Sequence, residues 1–199
     1  MITADIRAKF FGTAPVLGQI GLRVEPGEVL AIEGPSGAGK STLLRILAGL
    51  DPDFEGSVSR SGRLGMVFQE PRLLPWRNVG ENIRLTTRAP RAAIAEMLTR
   101  VGLAGYQDAF PRALSLGQAR RVALARAFVT RPAVLILDEP FTSLDPERVA
   151  DLLALTGDLI ATHRPATIFV THSPEEARTL AHRRMQLSGC PAQLLPKPG

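Results

Sequence analysis

The 199-residue chain has a single cysteine, Cys190, so it can form no internal disulfide, and nothing clusters with that thiol as a metal site. A reducing compartment is the expectation. No run approaches the roughly 18 uninterrupted apolar residues that suggest a membrane span. Residues 1–11 are mixed in polarity and lack the apolar core of a secretion signal. The chain is therefore expected neither to cross a bilayer nor to carry a visible export signal. Internal repeats and low-complexity tracts are absent. No run of lysine and arginine is long enough to argue for a direct nucleic-acid partner. The net charge of +5 suits a basic surface that attracts nucleotide or anionic lipid.

What is present is ordinary globular composition, 45% hydrophobic and 22% charged, which excludes disorder on the scale of the chain. The length suits one sizeable core with a small subdomain. Short apolar runs alternate with helical patterns, which argues for an α/β protein. Val29-Leu30-Ala31-Ile32 reads as a strand. Residues 41–50 read as a helix, with Leu43, Leu44, Ile46, Leu47 and Leu50 at helical spacing. A second strand is predicted over 64–68. Pro71 and Pro75 then break regular structure, and helical patterns follow over 79–85, 92–101 and 116–129. Residues 71–130 thus form a helical insertion. Val134-Leu135-Ile136-Leu137 suits a parallel strand covered on both faces. Asp145-Pro146 has the chemistry of a helix start, and 167–170 is a further β-branched run. Pro191, Pro196 and Pro198 suggest a loosely ordered tail over 188–199.

The segment Gly34-Pro35-Ser36-Gly37-Ala38-Gly39-Lys40-Ser41-Thr42 fits the P-loop pattern, with a strand before it and a helix after it. Glycines let the backbone curl so that several N–H groups face phosphate oxygens. The helix that follows points its positive end at the same place. Lys40 adds a full charge for the β- and γ-phosphates of ATP, and the Ser41 hydroxyl is a hard ligand for Mg²⁺. The buried strand at 134–137 ends in Asp138-Glu139-Pro140. Asp138 at that place suits the Mg²⁺ hydration shell. Glu139 beside it is placed to polarise the attacking water, since phosphoryl transfer depends on positioning and charge neutralisation.

These elements, together with Leu114-Ser115-Leu116-Gly117-Gln118, resemble the ATP-binding cassette (ABC) family over nearly the whole chain, from Phe11 to the helix after His172. The five residues are similar to the family signature Leu-Ser-Gly-Gly-Gln, with Leu116 in place of the first glycine. The resemblance implies that Ser115, Gly117 and Gln118 meet the γ-phosphate of ATP held by an opposite subunit. Leucine disfavours a positive φ, so Leu116 bears on the local backbone. By the same resemblance Gln69 is the Q-loop glutamine, reaching toward Mg²⁺ and the attacking water. His172 is the switch histidine on the γ-phosphate. Asp145 in Ser143-Leu144-Asp145 belongs to the D-loop at the dimer interface. Phe11, with Val16 beside it, is placed to stack on adenine, with Phe10 the competing aromatic.

The implied fold is a P-loop core with a mostly parallel sheet, an N-terminal antiparallel β region and a small helical subdomain. The implied activity is ATP hydrolysis that powers a membrane transporter. Each composite site takes its P-loop from one cassette and its signature from another, so the expected partner is a second copy or a paralogue. Transmembrane permease subunits are the expected receivers, and the chain is expected to sit peripherally on the cytoplasmic face of the membrane. Residues 70–77, with Trp76, are the docking candidate, although Trp76 equally suits an anchor for the subdomain core. The run from Val67 to Ile83 resembles import ATPases of the nitrate/sulfonate/taurine group. A soluble ABC ATPase, a small P-loop kinase and a non-hydrolysing regulatory module are the competing functions.

Overall fold

A computed structural model describes residues 1–197. The chain opens with an antiparallel unit: β1 (Ile2–Phe11), β2 (Ala14–Leu17) and β3 (Ile20–Val24), with β1 paired to both of its neighbours. Alternation drives this. Ile2, Ala4 and Ile6 are buried while Asp5 and Arg7 face outward. β4 (Val29–Glu33) leads through a loop into helix α1 (Lys40–Ala48). β5 (Glu55–Arg60) returns to pair with β1, and β6 (Leu64–Val67) joins the main sheet. Helices α2 (Val79–Thr87), α3 (Arg91–Arg100) and α4 (Leu116–Phe128) precede β7 (Val134–Asp138). Then come α5 (Pro146–His163), β8 (Ala166–Val170), α6 (Pro174–Leu180), β9 (Arg183–Gly189) and β10 (Ala192–Pro196).

The strands form one sheet in the order β3-β1-β2-β10-β9-β4-β8-β7-β6, with β5 beside β1. From β9 to β6 every pairing is parallel. Both faces of this parallel part are covered. Val29, Ala31, Leu135, Leu137 and Phe169 pack with Val122, Leu124 and Phe128 of α4. Their chain neighbours Leu30, Ile32, Val134, Ile136, Ile168 and Val170 pack with Leu43, Leu44 and Leu47 of α1 and with β1 and β3. A period of two thus sends alternate residues into two cores, and for that reason the runs are unbrokenly apolar. Each of the larger side chains contributes about 1.5–3 kcal/mol by burial. Changing Ile136 to a polar residue would break this layer.

Helix starts follow local chemistry. Asn78 accepts from Glu81 N at 2.8 Å while Glu81 accepts from Asn78 N at 3.1 Å, a capping box that opens α2. α5 begins at Asp145, whose carboxylate accepts from Arg148 N at 3.0 Å, with Pro146 in its first turn.

The loose tail expected from 188 onward does not describe 188–197. β10 pairs antiparallel with β9 through five residue pairs, and Lys197 forms an ion pair with buried Glu33 at 2.5 Å. Pro191 falls in the turn and Pro196 at the strand end, where proline does little harm to a ladder. Pro198 and Gly199 lie outside the described residues.

Candidate active site

Four adjacent parallel strands deliver the expected chemistry at their carboxyl ends. β4 opens into residues 34–39, and β6 is followed by Phe68 and Gln69. β7 ends at Asp138 with Glu139 next, and β8 is followed by Thr171 and His172. Open α/β sheets hold their ligands outside these ends.

The loop over 34–39 is shaped by close approach. A Cβ at Gly34 would stand 2.5 Å from the Leu187 carbonyl oxygen. Gly39 has φ +88°, and a Cβ there would lie 2.9 Å from Leu17 Cδ2. Neither position accommodates a larger residue in this geometry. Lys40 is buried, and its ammonium donates to the carbonyls of Gly34 at 2.9 Å and Pro35 at 2.8 Å. An ammonium has three donors, so one remains for a phosphate oxygen. α1 has no side-chain cap and no acidic residue in its first turn. Its leading N–H groups and dipole are therefore free to meet an anion.

A cleft of about 460 Å³ is lined by Ser36, Gly37, Gly39, Lys40, Ser41 and Thr42, and by Phe11, Val16, Gln69 and Glu139. Phe10, the competing aromatic, is not on its wall. Lys9 is buried beneath the platform, bonded to Asp51 at 3.0 Å, with its ammonium 4.9 Å from the Phe11 ring centroid. This cation braces the ring and leaves Phe11 half exposed toward the cleft.

Ser41 Oγ lies 3.3 Å from Asp138 Oδ1. Burial pushes the Asp138 carboxyl up, against the opposing effects of the Ser41 hydroxyl and Lys40. Among the described residues no group of three or more His, Cys, Asp and Glu is placed to hold a metal. A hydroxyl, one carboxylate and the Gln69 amide make a sparse set of hard oxygens. Such a set fits Mg²⁺, which keeps several waters and takes phosphate oxygens.

Glu139 accepts from Thr142 Oγ1 at 3.3 Å and faces His172 Nδ1 at 3.5 Å. Its backbone is left-handed, φ +44°, as are those of Ser143 at +65° and Arg72 at +47°. Each such non-glycine residue costs about 1–2 kcal/mol and persists only where its surroundings hold it. Thr171 Oγ1 donates to Glu176 at 2.5 Å and accepts from Ser173 N at 2.9 Å, which fixes the backbone on both sides of His172.

Ser115, Gly117 and Gln118 are not brought to this cleft. They line a separate one of about 230 Å³ with Leu144, Arg148 and Asp151. Ser115 and Gln118 cap α4 reciprocally, Ser115 N to Gln118 Oε1 at 2.9 Å and Gln118 N to Ser115 Oγ at 3.3 Å. Leu116 is the first residue of α4 and has ordinary helical backbone, so its replacement of glycine imposes no left-handed geometry. Asp145 stays on its own helix, in an ion pair with Arg148 at 3.2 Å.

Sequence reasoning missed Thr171 and Glu176, although Ser173-Pro174-Glu175-Glu176 has the spacing of a capping box. It also missed Arg126, which donates to the carbonyls of Pro71 at 2.8 Å and Arg72 at 3.1 Å just beyond Gln69. No local pattern could have revealed that contact, which spans more than fifty residues.

Fold and site together define a P-loop nucleoside triphosphatase. Comparison with known proteins places it further: the ABC transporter family model matches residues 17–142. The chain is similar to aliphatic sulfonates import ATP-binding protein SsuB 1 of Pseudomonas syringae pv. syringae, 45% identical over 195 residues, covering 96% of this chain and 82% of that protein. The similarly named SsuB 2 protein of Frankia alni is 49% identical over 175 residues, covering 87% and 71%. Among solved structures, a dimeric post-hydrolysis state of the ATP-binding cassette MJ0796 bound to ADP and Pi superposes with a TM-score of 0.83 at 27% identity, covering 98% of this chain and 96% of that one. The chain belongs to the ABC transporter family and is an ABC-type ATPase.

Proposed function

We propose that this chain is the ATP-hydrolysing subunit of an importer for small anionic solutes of the aliphatic sulfonate class. The observation that carries the catalytic part is the meeting of Lys40, Ser41, Gln69, Asp138, Glu139 and His172 at the ends of four neighbouring strands. The solute class rests on the names of the relatives, which are sulfonate import proteins.

In this reading the amides of 34–42 and Lys40 hold the triphosphate, and Phe11 with Val16 receives adenine. Ser41, Asp138 and Gln69 would hold Mg²⁺, which would supply neutralisation of the phosphate charge. Glu139 orients and deprotonates the attacking water, and His172 contacts the γ-phosphate. Ser115, Gly117 and Gln118, with Asp145 nearby, serve the site of the opposite cassette, a second copy or a paralogue. A two-fold dimer supplies both halves twice.

Residues 71–130 act as a helical subdomain that passes nucleotide state to permease subunits. Trp76, 69% exposed, suits the docking role better than a core anchor. Among the described residues no helix is long and apolar enough to span a membrane. By likeness to the import ATP-binding relatives the chain is assigned to the cytoplasmic face of the inner membrane, held there by those permease subunits. Affinity purification from detergent-solubilised membranes tests this reading. Recovery of a multi-span permease, with ATPase activity raised by an alkanesulfonate and its binding protein, is expected. Recovery of ribosomes or DNA without a permease would overturn it.

A further inference from the structure

Arg120 lies five residues beyond Ser115 on α4 and is 5% exposed. Its two terminal nitrogens donate to different backbone carbonyls, Nη1 to Pro140 and Nη2 to Thr142. Its third nitrogen, Nε, is buried and without a partner. Burying a guanidinium against carbonyls alone is unfavourable, and burial lowers its pKa. The position therefore calls for an explanation beyond filling space.

The gripped carbonyls supply one. They lie between the left-handed residues Glu139 and Ser143. The same turn carries the Thr142 hydroxyl that holds Glu139 Oε2. Phe141, within the turn, is buried edge-on against Phe169. Release of the two carbonyls would let the turn relax toward ordinary dihedrals and swing the Glu139 carboxylate away from His172. A planar fork reaches two carbonyls in fixed geometry, whereas a lysine offers a point charge on a flexible stem.

We propose that Arg120 is a positioning residue that holds Glu139 in its strained geometry and ties that geometry to the helix bearing Ser115, Gly117 and Gln118. The proposal rests on the catalytic role given to Glu139 above. Movement of α4, when its first turn meets the partner's nucleotide, would then reach the carboxylate through one side chain.

The test compares Arg120→Lys and Arg120→Met with Glu139→Gln in the full chain, each by steady-state ATP hydrolysis, nucleotide titration and thermal unfolding. Turnover is counted per nucleotide-binding site, so unfolded protein does not enter. We expect kcat to fall about 10- to 100-fold in Arg120→Met, the range produced by small misplacements of reacting groups. KM and nucleotide affinity should stay within about threefold, the signature of an interaction used only in turnover. Arg120→Lys should be intermediate, and it keeps the test open if the methionine variant does not fold. Wild-type kcat per binding site in Arg120→Lys and in any folded Arg120→Met, with Glu139→Gln inactive, would overturn the proposal alone. An active Glu139→Gln would instead remove the role of Glu139 on which it rests.

Discussion

The nucleotide cleft and the cleft at the start of α4 are complementary in chemistry and separate in space. The larger, at the ends of β4, β6 and β7, holds a cation, metal-type oxygens, a strained carboxylate and an exposed aromatic. The smaller, at the start of α4, holds a capped helix N-terminus with Ser115, Gly117 and Arg148. The first can grip a nucleotide along the side that carries Lys40, Glu139 and His172. The second can bind an anion and has nothing to hold the rest of a nucleotide. In the function proposed above the two clefts complete each other across a head-to-tail pair.

The sharpest way to break that contrast is to remove the chemistry from the larger cleft alone. Glu139→Gln should lower turnover by about 10²–10⁴-fold, the usual loss for a general base. ATP binding should persist, and gel filtration should show an ATP-dependent dimer. Unchanged hydrolysis would take Glu139 out of the chemistry.

The separation itself is tested by mixing. Lys40→Ala should weaken ATP binding by about 1.5–3 kcal/mol through loss of a charged hydrogen bond. Ser115→Asp keeps an N-cap residue, so α4 should remain intact, while a carboxylate now faces the incoming phosphate. Each variant alone should be nearly inactive. Mixed, one of the two sites in each hybrid pair is intact, so turnover should return to about a quarter of wild type under random two-fold pairing. No recovery on mixing would mean that each chain works alone.

A smaller effect sharpens the larger cleft. Phe11→Ala should weaken ATP by about 1–3 kcal/mol through lost stacking, while Phe10→Ala, off the cleft wall, should leave affinity unchanged. Equal losses in the two variants would remove the platform.

The smallest effect concerns the histidine turn. Burial, opposed by the Thr171 hydroxyl and by His172, pushes the Glu176 carboxyl up. The fold therefore favours its protonated form, and its contribution to stability falls as pH rises from the usual carboxylate value through the raised one. Glu176→Gln should flatten that fall in a series of thermal melts from acid to neutral pH. An unchanged profile would show that Glu176 is not its source.

The larger cleft was legible in advance because its parts are local. Gly34 to Thr42 is one continuous loop, and Asp138-Glu139 ends one apolar run, so spacing alone marks both. The signature was legible only through resemblance, since Ser115 to Gln118 read in isolation is an ordinary helix start. The hairpin formed by β9 and β10 was misjudged because Pro191 and Pro196 within it suggested looseness. Its support comes from Glu33 and from Gly18, whose N–H donates to the Ala192 carbonyl at 2.8 Å.

By itself the sequence determined the phosphate loop, the carboxylate pair and the unbroken apolar strands. Glycine spacing and hydrophobic period act over a few residues, and those are properties of a chain. Only the tertiary structure decided that four strand ends converge, that Ser115 lies in a different cleft from Lys40, and that Arg120 grips the turn after Glu139. Those facts depend on sheet order and helix packing, which join residues twenty to a hundred apart and leave no local trace.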